Sequence, residues 1–302
     1  MSDSTPFDPK TPIAAPEAGH EPGPGDAGTA SLTTEFDEDA LGEAYDAGLA
    51  AERMGDLTAA VAAYQRCLAI DPADHCGVRI RLAGLGAGET PASAGDAYVA
   101  TLFDQHAEAF EDILVHQLGY GVPALLGERL PNEAGAFERV LDLGCGTGLS
   151  GEILRERSGH MTGVDLSEAM VGICYEKEVY DRLFVAEAVA FLKSGAPGEA
   201  FDLIVATDVL PYLGDLAPFF GKAAARLSSK GLLAVSTETM DEESLAGRPF
   251  AVGKAQRFHH GEAYMREALS AAGFDIELFQ PITVRMQEGQ PAPGHLVIAR
   301  KV

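Results

Sequence analysis

The sequence is short of basic residues, and its charge excludes two classes of partner. Its 302 residues include 22 Lys and Arg against 46 Asp and Glu, which gives a formal net charge of -24. So acidic a chain repels phosphate backbones and anionic lipid surfaces, and we therefore expect neither nucleic acid nor a membrane as a partner. The acidity suits solubility or a salty cytoplasm, and composition does not separate the two.

Paired cysteines and long apolar runs are also missing. The four cysteines form no C-x-x-C pair: Cys67, Cys76, Cys145 and Cys174. Their spacing argues against a structural zinc site and a dense disulfide framework, so we expect no metal. No apolar run approaches the roughly 20 residues of a membrane span. The opening MSDSTPFDPK lacks the basic start and apolar core of an export signal. We expect a reduced, cytoplasmic protein.

The chain divides by composition into three parts. Residues 1–34 are rich in Pro, Gly, Ala and acids, which predicts a disordered tail because little apolar surface offsets the entropy of ordering. Residues 35–90 have an alanine-rich helical pattern broken at Gly55, with Asp56 as the expected N-cap of a second helix. Residues 94–302 alternate between strand-like and helix-like segments.

The helical segment over residues 35–90 resembles one tetratricopeptide repeat in the spacing of its small, aromatic and proline residues: Gly48, Gly55, Ala60, Tyr64 and Pro72. Fewer than three repeats do not make a free-standing solenoid. We therefore expect this unit to pack on its neighbour, as structural support or as a dimer contact. A peptide-binding module is the alternative.

The sequence of residues 94–302 predicts an α/β fold. A helix is expected over residues 96–116. Seven strands follow: FERVLDLG, HMTGVDL, RLFVAEA, FDLIVATDVL, GLLAVSTE, FDIELFQP and GHLVIARKV. Helical patterns between the first five predict a doubly wound, mostly parallel sheet with helices on both faces. Only a loop separates the last two strands, so a hairpin makes one of them antiparallel.

A glycine-rich turn follows the first of these strands. In VLDLGCGTGLSGEIL an apolar strand leads into Gly144, Gly146 and Gly148, and a helix follows. In a doubly wound fold this turn lies at the carboxyl ends of the strands, where ligands bind. Glycines let the backbone approach a ligand and leave amides free to donate to it. Alone, such a loop fits many nucleotide-type ligands.

Two acids narrow the choice of ligand. Asp165 ends the next strand, where a carboxylate can accept both hydroxyls of a ribose. Asp142 lies two residues before a G-x-G-x-G loop, whereas dinucleotide sites have G-x-G-x-x-G. Negative charge beside the loop suits a ligand with an ammonium group and disfavours a pyrophosphate. These residues favour a nucleoside that carries an amino acid as the ligand. The alternative function, of a different class, is a nicotinamide-dependent oxidoreductase.

Five segments in order carry a family resemblance: VLDLGCGTG, GVDLSEAM, VAEAVAFL, FDLIVATDVLPYLGDL and GLLAVSTE. They resemble the motifs of class I S-adenosylmethionine-dependent methyltransferases, over about residues 96–302. The whole chain resembles a bacterial group of predicted methyltransferases with an N-terminal tetratricopeptide segment. The resemblance implies S-adenosylmethionine as cofactor and a Rossmann-like, seven-stranded sheet with a reversed last strand over residues 137–302, with capping helices over residues 94–130.

The resemblance also assigns residues to the cofactor. It implies that Asp142 and the loop glycines Gly144, Gly146 and Gly148 hold the methionine part, and that Asp165 holds the ribose.

The adenine side follows from the same resemblance. Leu166 and Met170 are expected near the adenine, as are Glu187 and Ala188. Glu187 departs from the usual Asp by one methylene, which puts its contact with the adenine amino group in doubt. Asp208, after the fourth strand, is expected to face the methionine amino group and the acceptor. The helix before the sheet is expected to close over the cofactor with Phe103 and Phe110.

Catalytic residues are less defined by the sequence. Methyl transfer needs alignment and a dry pocket, and a base only for acceptors such as hydroxyls and carboxylic acids. We take Asp208, His260 and Tyr264 as candidates, with His259 and Tyr212 as further ones. The alternative is that the histidines form an ordinary helix entry and the tyrosines pack in the core or at its rim.

The acceptor class rests on what the fourth motif lacks. TDVLPYL stands where methyltransferases of planar amides and base amino groups have Asn/Asp-Pro-Pro-Tyr. Together with the acidic composition, this favours a small-molecule acceptor. The alternative is a protein methyltransferase or assembly factor that uses the helical segment to bind a protein partner.

Overall fold

The computed structural model describes residues 36–131, 136–194 and 200–302, so the tail expected over residues 1–34 lies outside the described residues. The α-helices of this part are α1 (Glu38–Met54), α2 (Leu57–Ile70), α3 (Val78–Gly84), α4 (Asp96–His106), α5 (Val122–Arg129), α6 (Leu149–Leu154), α7 (Glu168–Lys177), α8 (Ala188–Ser194), α9 (Ala217–Arg226), α10 (Glu242–Leu245) and α11 (Glu262–Ala271). None of these described helices is both long and apolar enough to cross a bilayer.

The strands are β1 (Phe137–Leu143), β2 (Ser158–Asp165), β3 (Arg182–Val185), β4 (Phe201–Ala206), β5 (Leu227–Glu238), β6 (Phe250–Val252), β7 (Phe258–His260), β8 (Phe274–Gln287) and β9 (Gln290–Lys301). Strands β3, β2, β1, β4 and β5 lie side by side and run parallel. β9 lies antiparallel beside β5, and β8 pairs with β9 as a hairpin. The predicted mostly parallel sheet with a reversed last strand is confirmed.

The predicted number of strands was wrong, because the sheet formed by the described residues has nine strands where seven were expected. The two additional strands, β6 and β7, have three residues each and form a small hairpin. β7 meets the end of β5 at a single pair, Glu238 with His259. A segment of three residues is too short to show the period-two pattern by which the other strands are recognised.

Helices cover the sheet on both faces, as the alternation of elements predicts. Successive side chains of a strand point to opposite faces. On β4, Leu203 and Val205 pack in one apolar cluster with α5 and α6, while Ile204 and Ala206 pack in another with α9 and α11. Burial on both faces explains why the central strands are apolar throughout.

The first two helices cross closely at a glycine. A Cβ atom on Gly48 would lie 2.3 Å from Cε1 of Tyr64, whose fully buried ring fills the crossing. Asp56 is confirmed as the N-cap of α2, since its Oδ1 accepts from the Ala59 amide at 3.0 Å. The unit packs on its neighbour as expected, because Ile80 of α3 is fully buried in a cluster with Tyr212 and Phe258.

The helix expected over residues 96–116 is interrupted. α4 ends at His106, a 3₁₀ turn covers Ala107–Ala109, and a π-helical turn covers Asp112–Gln117. We call residues 96–118 the cap. Polar contacts hold the cap to α7 at both ends of that helix: Ser167 Oγ and the Ala169 amide donate to Asp104 Oδ1 at 2.5 and 3.2 Å, and Lys177 Nζ lies 2.6 Å from Glu111 Oε1.

Candidate functional site: two adjoining cavities

The glycine loop joins β1 to α6 at the carboxyl end of the sheet. Its first two amides, of Gly144 and Cys145, both donate to the Val164 carbonyl, at 2.7 and 3.0 Å, which ties the loop to β2. The backbone angle φ of Gly146 is +53°, a value that residues with a side chain rarely adopt. A Cβ there would point into open space, with the Phe110 ring at 3.8 Å as the nearest atom outside the loop. The loop therefore presents bare backbone to a cavity.

Asp165 ends β2 beside this loop. Its Oδ2 accepts from the Gly146 amide at 2.8 Å and its Oδ1 from the Ser167 amide at 2.9 Å. Burial raises the pKa of the Asp165 carboxyl, and the amides of Ser167 and Gly146 oppose that shift. The side chain is held rigidly and is 8% exposed.

The loop, the strand ends and the cap enclose one cavity, which we call the first cavity. Its empty volume is about 940 Å³, part of it open to solvent. It is lined by most of the residues that the resemblance assigns to the cofactor: Gly144, Gly146, Asp165, Leu166, Glu187, Ala188, Asp208, Phe103 and Phe110. The charged side chains among its described lining residues are all acidic: Asp96, Asp165, Glu187 and Asp208.

Three of the expected cofactor residues do not line this cavity. Gly148 is the N-cap of α6, and Met170 is fully buried within α7. Asp142 is fully buried behind the loop, where the Tyr180 hydroxyl donates to its Oδ2 at 2.7 Å. Its Oδ1 has no hydrogen-bond partner among the described residues. Burial raises the pKa of Asp142 to about 7, although the Tyr180 hydrogen bond lowers it.

Glu187 combines a cavity position with a local structural role. Its two carboxylate oxygens accept from the amides of Val189 at 2.8 Å and Ala190 at 2.7 Å, at the start of α8. Such a cap satisfies amides that the helix itself leaves unpaired. The Glu187 carboxylate therefore caps α8 as well as lining the first cavity.

Asp208 follows β4 in the left-handed region, with φ +62°. Its carboxylate forms an ion pair with Arg257, whose Nη1 donates to the Tyr212 hydroxyl at 2.5 Å. Arg257 Nε and Arg285 Nη1 lie 2.5 and 2.6 Å from the same oxygen, Oε1 of Glu238. Burial raises the pKa of the Asp208 carboxyl, and the Arg257 guanidinium opposes that shift.

A second cavity opens beside the first, with an empty volume of about 620 Å³, also partly open to solvent. Five residues line both cavities: Phe103, Phe110, Leu114, Asp208 and Tyr212. Arg257 and Arg285 line only the second one. Sequence reasoning missed both arginines, because a single arginine in a loop or a strand forms no motif.

The structure does not bring His260 and Tyr264 to either cavity. His260 is fully buried, with Nε2 against the carbonyls of Leu213 at 2.9 Å and Gly214 at 3.1 Å, and burial lowers its pKa to about 4. The Tyr264 hydroxyl accepts from the Leu216 amide and donates to Asp215. These contacts give both side chains a packing role, as the sequence allowed. His259 lies behind the arginines, 3.7 Å from Glu238.

Residues 114–278, more than half of the chain, match the family profile described as a methyltransferase domain. The chain belongs to this methyltransferase family. The matched part includes the glycine loop, Asp165, Asp208 and Arg257, whereas Arg285 lies beyond it.

Several methyltransferases of known name are similar to part of this methyltransferase chain. The Bradyrhizobium diazoefficiens ubiquinone biosynthesis O-methyltransferase is 32% identical over 36% of this chain and 43% of that protein. The Escherichia coli trans-aconitate 2-methyltransferase is 38% identical over 33% and 38%. The chain thus spans less than half the length of either relative. A solved S-adenosylmethionine-dependent methyltransferase from Mesorhizobium loti matches 61% of this chain and 99% of its own, with a TM-score of 0.46 and 23% identity.

Proposed function

We propose that this methyltransferase transfers a methyl group from S-adenosylmethionine to a small-molecule acceptor. One observation carries the proposal: most of the residues expected to hold this cofactor line one cavity whose described charged groups are all acidic. S-adenosylmethionine has a sulfonium and an ammonium group, and acidic walls stabilise such charge. The pyrophosphate of a dinucleotide would be repelled there.

The residues present fit the cofactor. Gly146 leaves open the space that a side chain would fill, so a ligand can lie against the loop backbone. Asp165 lies at the cavity wall, where its carboxylate can accept ribose hydroxyls in addition to its two amide bonds. The Oδ1 atom of Asp142, buried behind the loop, has an acceptor capacity that the described residues do not use. It is suited to pair with the cofactor ammonium through an amide or water.

When bound, S-adenosylmethionine supplies a methyl group already activated on a sulfonium. The chain then needs mainly to align the partners and keep water out. Phe103 and Phe110, whose rings are 5.9 Å apart edge to face, form an apolar wall shared by both cavities. Asp208 is the carboxylate common to both, and its ion pair with Arg257 suits it to charge balance and positioning rather than to strong basicity.

The acceptor class is inferred from the relatives and the site together. The names of the two relatives are those of small-molecule methyltransferases, and one is an O-methyltransferase. A partly enclosed cavity beside the first suits a small molecule better than a folded macromolecule. We propose a small-molecule acceptor, and these names favour oxygen as the methylated atom.

A labelled-methyl screen tests this class. The full chain is incubated with methyl-labelled S-adenosylmethionine and, in separate reactions, with metabolite extract, protein extract and RNA. We expect label in the metabolite fraction and none with the Gly146→Val variant. Label in protein or RNA, with none in metabolites, would refute the small-molecule proposal.

We propose, further, that α1–α3 form a single tetratricopeptide-like unit that supports the cavity wall. The support comes from Ile80, which is fully buried in the cluster that contains Tyr212. Ile80→Ala should weaken cofactor binding as well as stability, while Leu57→Ala on the exposed outer side of α2 should change neither. Thermal unfolding with and without cofactor measures both effects. A homodimer or protein contact through this unit, and a cytoplasmic location, stay predictions.

A further inference from the structure

The second cavity combines an apolar side with a charged one. Leu102, Ile113 and Leu118 of the cap line it, together with the two phenylalanines shared with the first cavity. Arg257 and Arg285 line it as well. Because Asp208 and Tyr212 belong to both cavities, a ligand in the second lies directly beside a ligand in the first.

The two arginines form a built site. Their side chains are 11% and 7% exposed, and Glu238, 2% exposed, lies behind them and holds both. Arg257 is further fixed over the Tyr212 ring, with its guanidinium carbon 4.7 Å from the ring centroid. A guanidinium that is buried and held in place loses little further freedom when it binds a ligand.

The hydrogen bonds within the cluster use only some of the N–H donors of the two guanidiniums. Arg257 donates to Tyr212 and Asp208, while Arg285 donates to Glu238 and to Gln287. A guanidinium carries five N–H donors in a planar fork that matches a carboxylate. Each arginine therefore keeps donors for a ligand in the cavity that it lines.

Charge balance indicates the sign of that ligand. The four side chains Arg257, Arg285, Asp208 and Glu238 are neutral together when both acids are ionised. The two guanidiniums lower the pKa of Glu238 although its burial raises it, so Glu238 stays ionised. S-adenosylmethionine in the first cavity would add a net positive charge beside Asp208. A monoanion in the second cavity would lie beside two guanidiniums and would meet less repulsion from Asp208 and Glu238 than a dianion.

We propose that the second cavity binds the methyl acceptor through a carboxylate that accepts hydrogen bonds from Arg257 and Arg285, while an apolar body packs against the cap. The proposal rests on the proposed function, which makes this ligand the acceptor. It narrows the small-molecule class to acceptors with a carboxylate next to an apolar group. The exposed His106 at the rim is the other basic residue among the described lining residues.

Matched probes test the proposal by binding alone. The full chain, saturated with S-adenosylhomocysteine, is titrated with octanoate, cinnamate and phenylacetate, and with the amide of each. We expect the best carboxylate to bind about tenfold or more tightly than its amide, since a charge-assisted hydrogen bond adds that much. Octyl phosphate distinguishes a carboxylate site from a general anion site, and it should bind more weakly than octanoate. Equal binding of acids and amides would overturn the proposal, as would no detectable binding of any carboxylate.

Two variants link the preference to the arginines. Arg285→Met should reduce the carboxylate preference severalfold, and the double variant Arg285→Met with Glu238→Gln should do so while removing one carboxylate together with its arginine partner. Arg266→Met is the control, because Arg266 forms an exposed ion pair with Glu262 outside both cavities. A preference in the double variant as large as in the wild type would contradict the proposal.

The same titrations separate this proposal from the proposed function. Binding of S-adenosylmethionine is measured first in every variant and should change less than threefold in Arg285→Met, which lines only the second cavity. If wild-type protein fails to bind S-adenosylmethionine, the proposed function fails, and the acid-to-amide ratio in the free protein still decides whether the arginines bind carboxylates.

Discussion

The two cavities share a wall but differ in charge and in construction. The first has acidic charged groups, Asp96, Asp165, Glu187 and Asp208, and a floor of bare loop backbone. The second has two buried arginines and an apolar cap. In a chain with a net charge of -24, buried positive charge in one cavity is the exception to the overall composition. The difference suggests one cavity for a cationic methyl donor and another for an anionic acceptor.

The two cavities also differ in whether local sequence patterns mark the residues that line them. The first is lined by residues 93–123, which include most of the cap, and by strand ends and turns between residues 144 and 213, and these strand ends and turns carry local sequence patterns. In the second, Arg257 lies in the loop before β7 and Arg285 lies on β8. The two meet only because both reach Glu238 at the end of β5. A cofactor site can thus be recognised from local motifs, while an acceptor site made by tertiary contacts cannot.

The largest expected effect is the loss of cofactor affinity when Asp165 in the first cavity is replaced. Asp165→Ala removes the acceptor for the ribose hydroxyls and also the two hydrogen bonds that hold the loop at Gly146 and Ser167. We expect S-adenosylmethionine affinity to fall about hundredfold or more. Calorimetric titration measures it, with Asp275→Ala on the exposed side of β8 as the control. Near-normal binding by Asp165→Ala would refute the assignment of the cavity.

A second test uses Asp142, whose carboxylate is buried behind the glycine loop of the first cavity. Asp142 titrates near pH 7 in the folded chain and near 3.8 when free, so folding favours its protonated form. The resulting stability is fully present below the lower pKa and is lost as pH rises through about 7. Between pH 5 and pH 7 the wild type should lose about 2 kcal/mol of unfolding free energy relative to Asp142→Asn.

Urea unfolding at a series of pH values measures this difference. The control is Asp241, the exposed N-cap residue of α10, whose pKa is lowered by the hydrogen bonds that it accepts from Ser244. The difference between wild type and Asp241→Asn should be flat across the same range. A flat difference for Asp142→Asn as well would show that Asp142 is ionised in the folded protein.

A third test concerns the open space at the glycine loop. Gly146→Val places a branched side chain where φ is +53° and where the cavity should hold ligand, so binding should fall about tenfold or more. Gly146→Ala should have a smaller effect. Gly172→Ala on α7, where a Cβ meets nothing within 4 Å, should bind normally. If Gly146→Val binds tightly with an unchanged fold by circular dichroism, the ligand does not lie against this loop.

The smallest effect is expected at the shared wall, and it has opposite signs in the two cavities. Asp208→Asn removes a negative charge that faces both cavities. Cofactor affinity should fall about threefold, while the carboxylate probe should bind about threefold more tightly. Titration of both ligands on one protein sample checks this. Changes of the same sign would show that the two cavities do not differ in the charge that they prefer.

Much of the fold was predictable from the sequence, for local reasons. The seven longer strands have apolar runs bounded by turns, and Asp56 and the glycine loop are marked by residue type. The short β6 and β7 carry no such pattern. The cap was predicted as a continuous helix, and its interruption after His106 has no strong helix breaker in the sequence up to Gly119.

The candidate site shows the same limit. Asp165, Asp208 and Gly146 follow strands and reach the cavity, as motif order predicts. His260 and Tyr264 were selected by residue type alone, and tertiary packing turns both away from the cavities. Arg257 was passed over because its partners Glu238, Asp208 and Tyr212 are distant in sequence. Side-chain clusters of this kind become visible only when the register of β5 with its neighbours is known.

The central claim is that the first cavity binds S-adenosylmethionine, and direct titration of the full chain tests it. Isothermal calorimetry with S-adenosylmethionine and, separately, with NAD should give one saturable site for the first and at least hundredfold weaker binding of the second. Absence of S-adenosylmethionine binding, or equal binding of the two, would contradict the claim.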